Sequence, residues 1–211
     1  MLENVCFYSG EEKNEPVSAL QLTEGYDMYV HDAFGTCHRK HASVYGVPSL
    51  LNEKAAGFLI EKEVEWFDKI ISNPEKPFAA IIGGAKVSDK IGVIESLMNK
   101  ADRILIGGAM AYTFLKYQGH SVGTSLVEED QMDTVKNVLA KAKAQNVEIL
   151  LPIDHLMSKE FNGPADYIDI VDIPDGMMGL DIGGETALMY MSALQDCQTV
   201  LWNGPMGVFE D

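Results

Sequence analysis

The sequence has 211 residues, 46% apolar and 23% charged, with a formal net charge of −16. That length allows one large domain or one domain plus part of another, with a substantial core. The acidity excludes a nucleic-acid surface, which needs clustered Lys and Arg. An anionic ligand must therefore be held by a few local cations and by backbone N–H groups. No signal-peptide pattern or membrane-length apolar run is present, so no membrane association is expected. Cys6, Cys37 and Cys197 are far apart and form no CxxC pair, which predicts neither a disulfide framework nor a zinc knot and fits a reducing, cytoplasmic setting.

In chain order, Glu11 to Asn14 is turn-like, Val17–Leu22 predicts a short helix, and Tyr29–Val30 a short strand leading into His31-Asp32-Ala33-Phe34-Gly35. After Pro48, residues Lys54 to Ile71 carry Phe58, Leu59, Lys62, Trp66, Phe67 and Ile70 at near-helical spacing. Ser72-Asn73-Pro74 stops that run, and an isolated helix between segments of different character reads as a domain connector. From Phe78 the rhythm is regular. Strands are expected at Phe78–Ile82, Arg103–Ile106, Val147–Leu151 and Thr199–Trp202, the last one buried. Helices are expected at Asp89–Asn99, from Met110, at Glu128–Gln145 and at Thr186–Leu194. Strands alternating with helices across short Gly turns predict a parallel sheet covered on both faces, with ligands gathering outside its carboxyl ends. The fold class is α/β, with residues 1–52 before a connecting helix at 53–73 and residues 74–211 after it.

Three glycine-rich turns follow predicted strands: Gly83-Gly84, Gly107-Gly108 and Asn203-Gly204-Pro205. All should share one rim of the sheet, where glycine admits a ligand and a helix start offers N–H groups to an anion. Ala85-Lys86-Val87-Ser88-Asp89-Lys90 continues the first turn. Cations at a helix N-terminus oppose its dipole, so Lys86 and Lys90 suggest a compensating anion, against the plainer reading of an ordinary exposed pair. No Walker GxxxxGK[ST] and no GxGxxG occurs. His38-Arg39-Lys40-His41 is a basic cluster in an acidic chain; no carboxylate or cysteine spacing supports metal ligation, and an anionic substrate suits it better. Trp66, Phe67 and the methionines Met177, Met178, Met189 and Met191 read as packing residues, and His120 and His155 have no partner pattern.

The residues also carry a resemblance. Leu2-Glu3-Asn4-Val5, Gly10 to Asn14, Asp32 to Thr36 with His38-Arg39 and His41-Ala42-Ser43, Gly83 to Ile91, Ile106-Gly107-Gly108, Gly123 to Glu129, Gly179 to Gly183 and Trp202 to Glu210 run in order along the chain and resemble phosphoglycerate kinases. The resemblance implies two Rossmann-like three-layer αβα domains joined by a helix, with residues 1–52 part of the first, 53–73 the helix and 74–211 part of the second, nucleotide-binding domain. It also implies phosphoryl transfer in glycolysis between 1,3-bisphosphoglycerate and ADP, with magnesium. Lys86 and Lys90 would face the phosphates and the transferring group. Gly83, Gly84 and Ala85 would line the nucleotide, Gly107, Gly108, Gly179 and Leu180 the adenine. Asn203, Pro205, Gly207 and Val208 would complete the site, with Glu210 on the ribose. His38 and Arg39 would bind 3-phosphoglycerate.

Four departures stand out: Cys6 where the family has Arg, His31 where it has Asn, Met177 where it has Trp, and Gly184 where it has Pro. A thiol does not replace a bidentate guanidinium. The family's catalytic arginine and magnesium-binding aspartate match no residue of this chain. By itself the chain is therefore expected to be inactive or strongly impaired. The alternative is a non-catalytic adenine-nucleotide-binding module or a gene remnant. The family is usually monomeric.

Overall fold

The computed structural model describes residues 2–161, 163–168 and 170–209. The chain divides into two compact units, Met1–Asn73 and Pro74–Asp211.

The first unit runs α1 (Ser9–Glu12), α2 (Pro16–Thr23), β1 (Met28–His31), α3 (Val47–Leu50), β2 (Glu53–Ala56) and α4 (Phe58–Ser72). Pro16 sits in the first turn of α2, where its missing N–H leaves no ladder bond unmade. Ala19, Ala42 and Val47 form the local core under Leu22, Tyr29 and Leu51. Residues Glu53–Ala56, expected at the head of the long helix, are a strand paired parallel to β1. Lys-Ala-Ala favours helix locally, and the long-range ladder overrides it. α4 therefore begins only after Gly57. Its N-cap has no side chain to offer, and Asp32 serves instead, accepting the Ile60 N–H at 2.9 Å. Phe67 stacks on Phe34 with ring centroids 5.1 Å apart. Trp66 does not pack as expected: it is 57% exposed, and the Lys69 ammonium lies over its ring.

The second unit contains β3 (Phe78–Ile82), α5 (Val87–Leu97), β4 (Arg103–Ile106), α6 (Met110–Tyr117), α7 (Met132–Gln145), β5 (Glu148–Leu150), β6 (His155–Ser158), β7 (Asp166–Ile168), β8 (Met178–Ile182), α8 (Gly184–Leu194) and β9 (Thr199–Asn203). A four-stranded sheet in the order β5-β4-β3-β9 is parallel throughout. Every residue of β3 is buried, as a near-continuous apolar run predicts for a strand covered on both faces. Ala79, Ile81 and Leu105 pack against Tyr190 of α8, whose hydroxyl donates to the carbonyls of Ile106 and Leu150.

β9 is not the buried strand expected. It is an edge among the described strands, with Val200 and Trp202 exposed. A separate antiparallel sheet, β7-β6-β8, was not foreseen. Glu128 does not begin α7, which starts at Met132 after a 3-10 turn at Glu129–Gln131. Met191 of α8 is 62% exposed, while Met177 and Met189 do pack. His120 pairs with Asp172 at 3.2 Å. No helix among the described residues is long and apolar enough to cross a membrane.

Candidate functional site

The registers fix the rim. Ile82 lies opposite Ile106 on one side and opposite Asn203 on the other, so the turns after β3, β4 and β9 leave the sheet side by side. They pack directly on one another. Gly108 has φ +69°, and a Cβ there would lie 2.6 Å from both N and O of Gly84. Gly204 has φ +90°, and its Cβ would lie 2.2 Å from the Gly83 carbonyl oxygen. Glycine is thus required here by backbone packed on backbone, in addition to any ligand approach. The Gly108 N–H donates to Met206 O at 2.6 Å and the Met110 N–H to Gly84 O at 3.0 Å, which ties the turns together.

This bundle of turns forms one side of a cavity of about 620 Å³, within the range of small-molecule sites. Gly84, Ala85, Gly108, Gly179, Leu180, Pro205, Gly207 and Val208, all singled out from the sequence, line it. Gly83, Gly107, Lys86, Lys90 and Asn203 do not, and Glu210 lies outside the described residues. Gly107 sits behind the rim, where a Cβ would meet the Met206 side chain. Ala109, Thr124, Leu126, Phe161, Met178 and Phe209 complete the wall and were not named as site residues. Thr124 and Leu126 fall inside the Gly123–Glu129 string, and Phe209 inside Trp202–Glu210, so a signal existed for these three. Phe161 had none.

Lys86 is the N-cap residue of α5, extended and exposed, one position ahead of the helix that carries Lys90. Lys90, in the first turn, has its Cε 3.5 Å from where a Cβ of Gly84 would stand, and its ammonium donates to the side-chain oxygen of Asn203. That partner is a neutral amide and not a carboxylate. The helix start has an internal anion as well. Glu128 accepts the Ser88 N–H at 3.2 Å and the Ser88 hydroxyl at 2.6 Å. Part of the compensation assigned to a bound anion is therefore supplied by the chain.

On the opposite side, Asp181 lies directly behind Gly207, whose Cβ would stand 2.1 Å from its Cγ. Burial raises the Asp181 carboxyl above the ordinary range, against the lowering effect of the Ile182 N–H. Burial, and then the Asp181 charge, raises the Tyr112 phenol. His38 and Arg39 lie in the first unit, exposed on the segment after the 3-10 turn Phe34–Thr36. Among the described residues no group of three or more His, Cys, Asp or Glu side chains is placed to hold a metal.

A glycine-built cavity on the carboxyl rim of a parallel sheet, with a lysine at the helix start beside it, defines an α/β domain with a site of small-molecule size where such sheets gather their ligands. Comparison with known proteins narrows the class. The profile of the family described as phosphoglycerate kinase matches residues 1–211, and the chain belongs to that family. A phosphoglycerate kinase of Trichodesmium erythraeum is 55% identical over 212 residues, covering 100% of this chain and 53% of its own length. A cytosolic phosphoglycerate kinase of Nicotiana tabacum is 53% identical over the same span, again with 53% of its length covered. The solved phosphoglycerate kinase of Coxiella burnetii superposes with a TM-score of 0.78 at 38% identity, covering 98% of this chain and 54% of that one. The chain spans about half the length of the curated relatives it matches.

Proposed function

We propose that residues 74–211 hold the adenine-nucleotide site of a phosphoglycerate kinase, and that the protein serves reversible phosphoryl transfer between 1,3-bisphosphoglycerate and ADP. The observation that carries this reading is the cavity flanked by the Lys90–Asn203 pair. Apolar walls from Leu126, Leu180 and Val208 suit a planar base. Lys90 is a point charge next to Gly84, on the side where phosphates would enter, and Asn203 holds its ammonium in place without neutralising it. Phosphoryl transfer asks little covalent chemistry of a protein, chiefly positioning and charge stabilisation. Lys86, exposed at the same helix start, is assigned to the transferring group.

The first unit is assigned to the phosphoglycerate, with His38 and Arg39 as its exposed basic contacts in an otherwise acidic chain. α4 is assigned to the connection between the two domains. All three cysteines are free thiols, which supports a cytoplasmic setting. Calorimetric titration of the purified chain with MgADP, beside Lys90→Ala, tests the reading. Losing one charged contact should weaken binding on the order of 10- to 100-fold. Equal affinity of the two proteins, or no binding by a folded chain, would overturn it.

A further inference from the structure

Unit one carries a side-chain cluster that phosphoryl transfer does not use. β1 ends at His31, the chain turns through Phe34–Thr36, and Cys37 follows at the end of that turn. The turn brings the Cys37 sulfur back to 3.3 Å from His31 Nε2. The other ring nitrogen, Nδ1, lies 2.9 Å from the Tyr29 hydroxyl. Tyr29 and His31 are two apart on the strand, and their rings stack with an interplanar angle of 14°. The result is a thiol, an imidazole aimed at it, and a third group that fixes the imidazole.

We propose that Cys37 is a nucleophilic thiol with His31 as its proton acceptor, open to modification by low-molecular-weight disulfides. In the neutral pair one proton lies between sulfur and Nε2. Its transfer to Nε2 gives a thiolate beside an imidazolium, whose Nδ1–H then donates to the Tyr29 oxygen. The thiolate attacks one sulfur of the disulfide. A new sulfur–sulfur bond forms, the old one breaks, and the departing thiolate takes the imidazolium proton. Cys37 is exposed, so the reagent can reach it. The competing partner of the sulfur, the Ala33 carbonyl, is at 3.8 Å and weak.

The chain contains its own control. Cys6 is exposed too, and among the described residues its sulfur makes no hydrogen bond. Cys197 is half-buried, with its thiol on the Ala193 carbonyl at 3.5 Å. The test uses the full chain with an aromatic disulfide reagent at neutral pH, reading site-resolved rates by peptide mass mapping. Cys37 should react about three- to tenfold faster than Cys6. His31→Asn should remove that excess while the Cys6 rate stays fixed. Cys37 no faster than Cys6, or an unchanged rate in the folded variant, overturns the proposal. Should His31→Asn unfold, the Cys6→Ser chain is compared with itself in concentrated urea. Folding must then accelerate Cys37, and a folded rate at or below the unfolded one overturns the proposal equally.

Discussion

Replacing Asp154 by alanine removes a carboxylate on which four donors converge. The N–H of Thr186 reaches it at 2.7 Å, the N–H of Glu185 at 2.8 Å and the Tyr167 hydroxyl at 2.9 Å, with the Thr186 hydroxyl also donating. Two of these are the N–H groups of the second and third residues of α8, whose N-cap, Gly183, has no side chain. There is no room for one either, since a Cβ on Gly183 would stand 2.2 Å from the Asp154 carboxylate. Loss of a cap costs about 1–2 kcal/mol, and donors stranded in the interior cost about 1–3 kcal/mol more. Asp154 is only 1% exposed, so water cannot readily replace it. The expected loss is about 3 kcal/mol, or about 6–12 °C in melting temperature for a unit of this size. Asp154→Asn keeps one acceptor and should lose about half as much. Burial raises the Asp154 carboxyl, but the Thr186, Glu185 and Tyr167 hydrogen bonds outweigh it and hold it below its ordinary value of 3.8. The stability it supplies is therefore present above that pH and lost below it, so the gap between parent and Asp154→Asn should close in acid. Urea denaturation at pH 7 and in acid measures both effects. An alanine variant within about 1 kcal/mol of the parent would refute the reasoning.

Gly108→Ala should be costly in two ways. The left-handed backbone costs about 1–2 kcal/mol, and a Cβ 2.6 Å from Gly84 backbone atoms must push the turns apart; nucleotide binding should fall with stability, both readable in one ligand-dependent melt. His155 is fully buried, with Nε2 on the Val171 carbonyl at 3.1 Å and Nδ1 without a partner among the described residues. Burial lowers its pKa below 6.5, so the unfolded chain takes up a proton that the folded chain refuses. Its stabilising effect is complete above pH 6.5 and lost as pH falls, by at most about 1.4 kcal/mol per pH unit. His155→Gln should flatten the slope of urea midpoint against pH over that window, and equal slopes would argue against it.

The sequence reveals most where the information is local. Apolar runs ended by glycine locate β3 and β4, and the common direction of the strands puts Gly84, Gly108 and Pro205 on one rim. It reveals least where a distant residue decides. Glu53–Ala56 became a strand through pairing with β1. Three helices receive N-terminal acceptors from far along the chain: Asp32 at α4, Glu128 at α5 and Asp154 at α8. At α4 and α8 the N-cap itself is glycine, so the usual capping signature is missing. Phe161 likewise joins the cavity wall from the turn closed by the Gly163 N–H on the Glu160 carbonyl, which follows β6 of the unforeseen antiparallel sheet and no strand of the parallel one.

Glu128 also decides how the charge at α5 is read. If the two lysines were surface residues held by the acidic excess of the chain, a carboxylate this near would pair with them. Elsewhere in the same unit that is what happens: Lys76 pairs with Asp102, Arg103 with Asp196 and Lys116 with Glu129. Glu128 instead spends both oxygens on Ser88. Lys90 takes the amide of Asn203, and among the described residues neither Lys86 nor Lys90 makes an ion pair with a carboxylate. The helix is thus stabilised by its own anion while the ammonium beside Gly84 keeps its charge. In a chain of net charge −16 an anionic ligand depends on such local exceptions, because the overall field opposes its approach. That separation of the helix's anion from the two cations favours the proposal that the lysines serve a ligand.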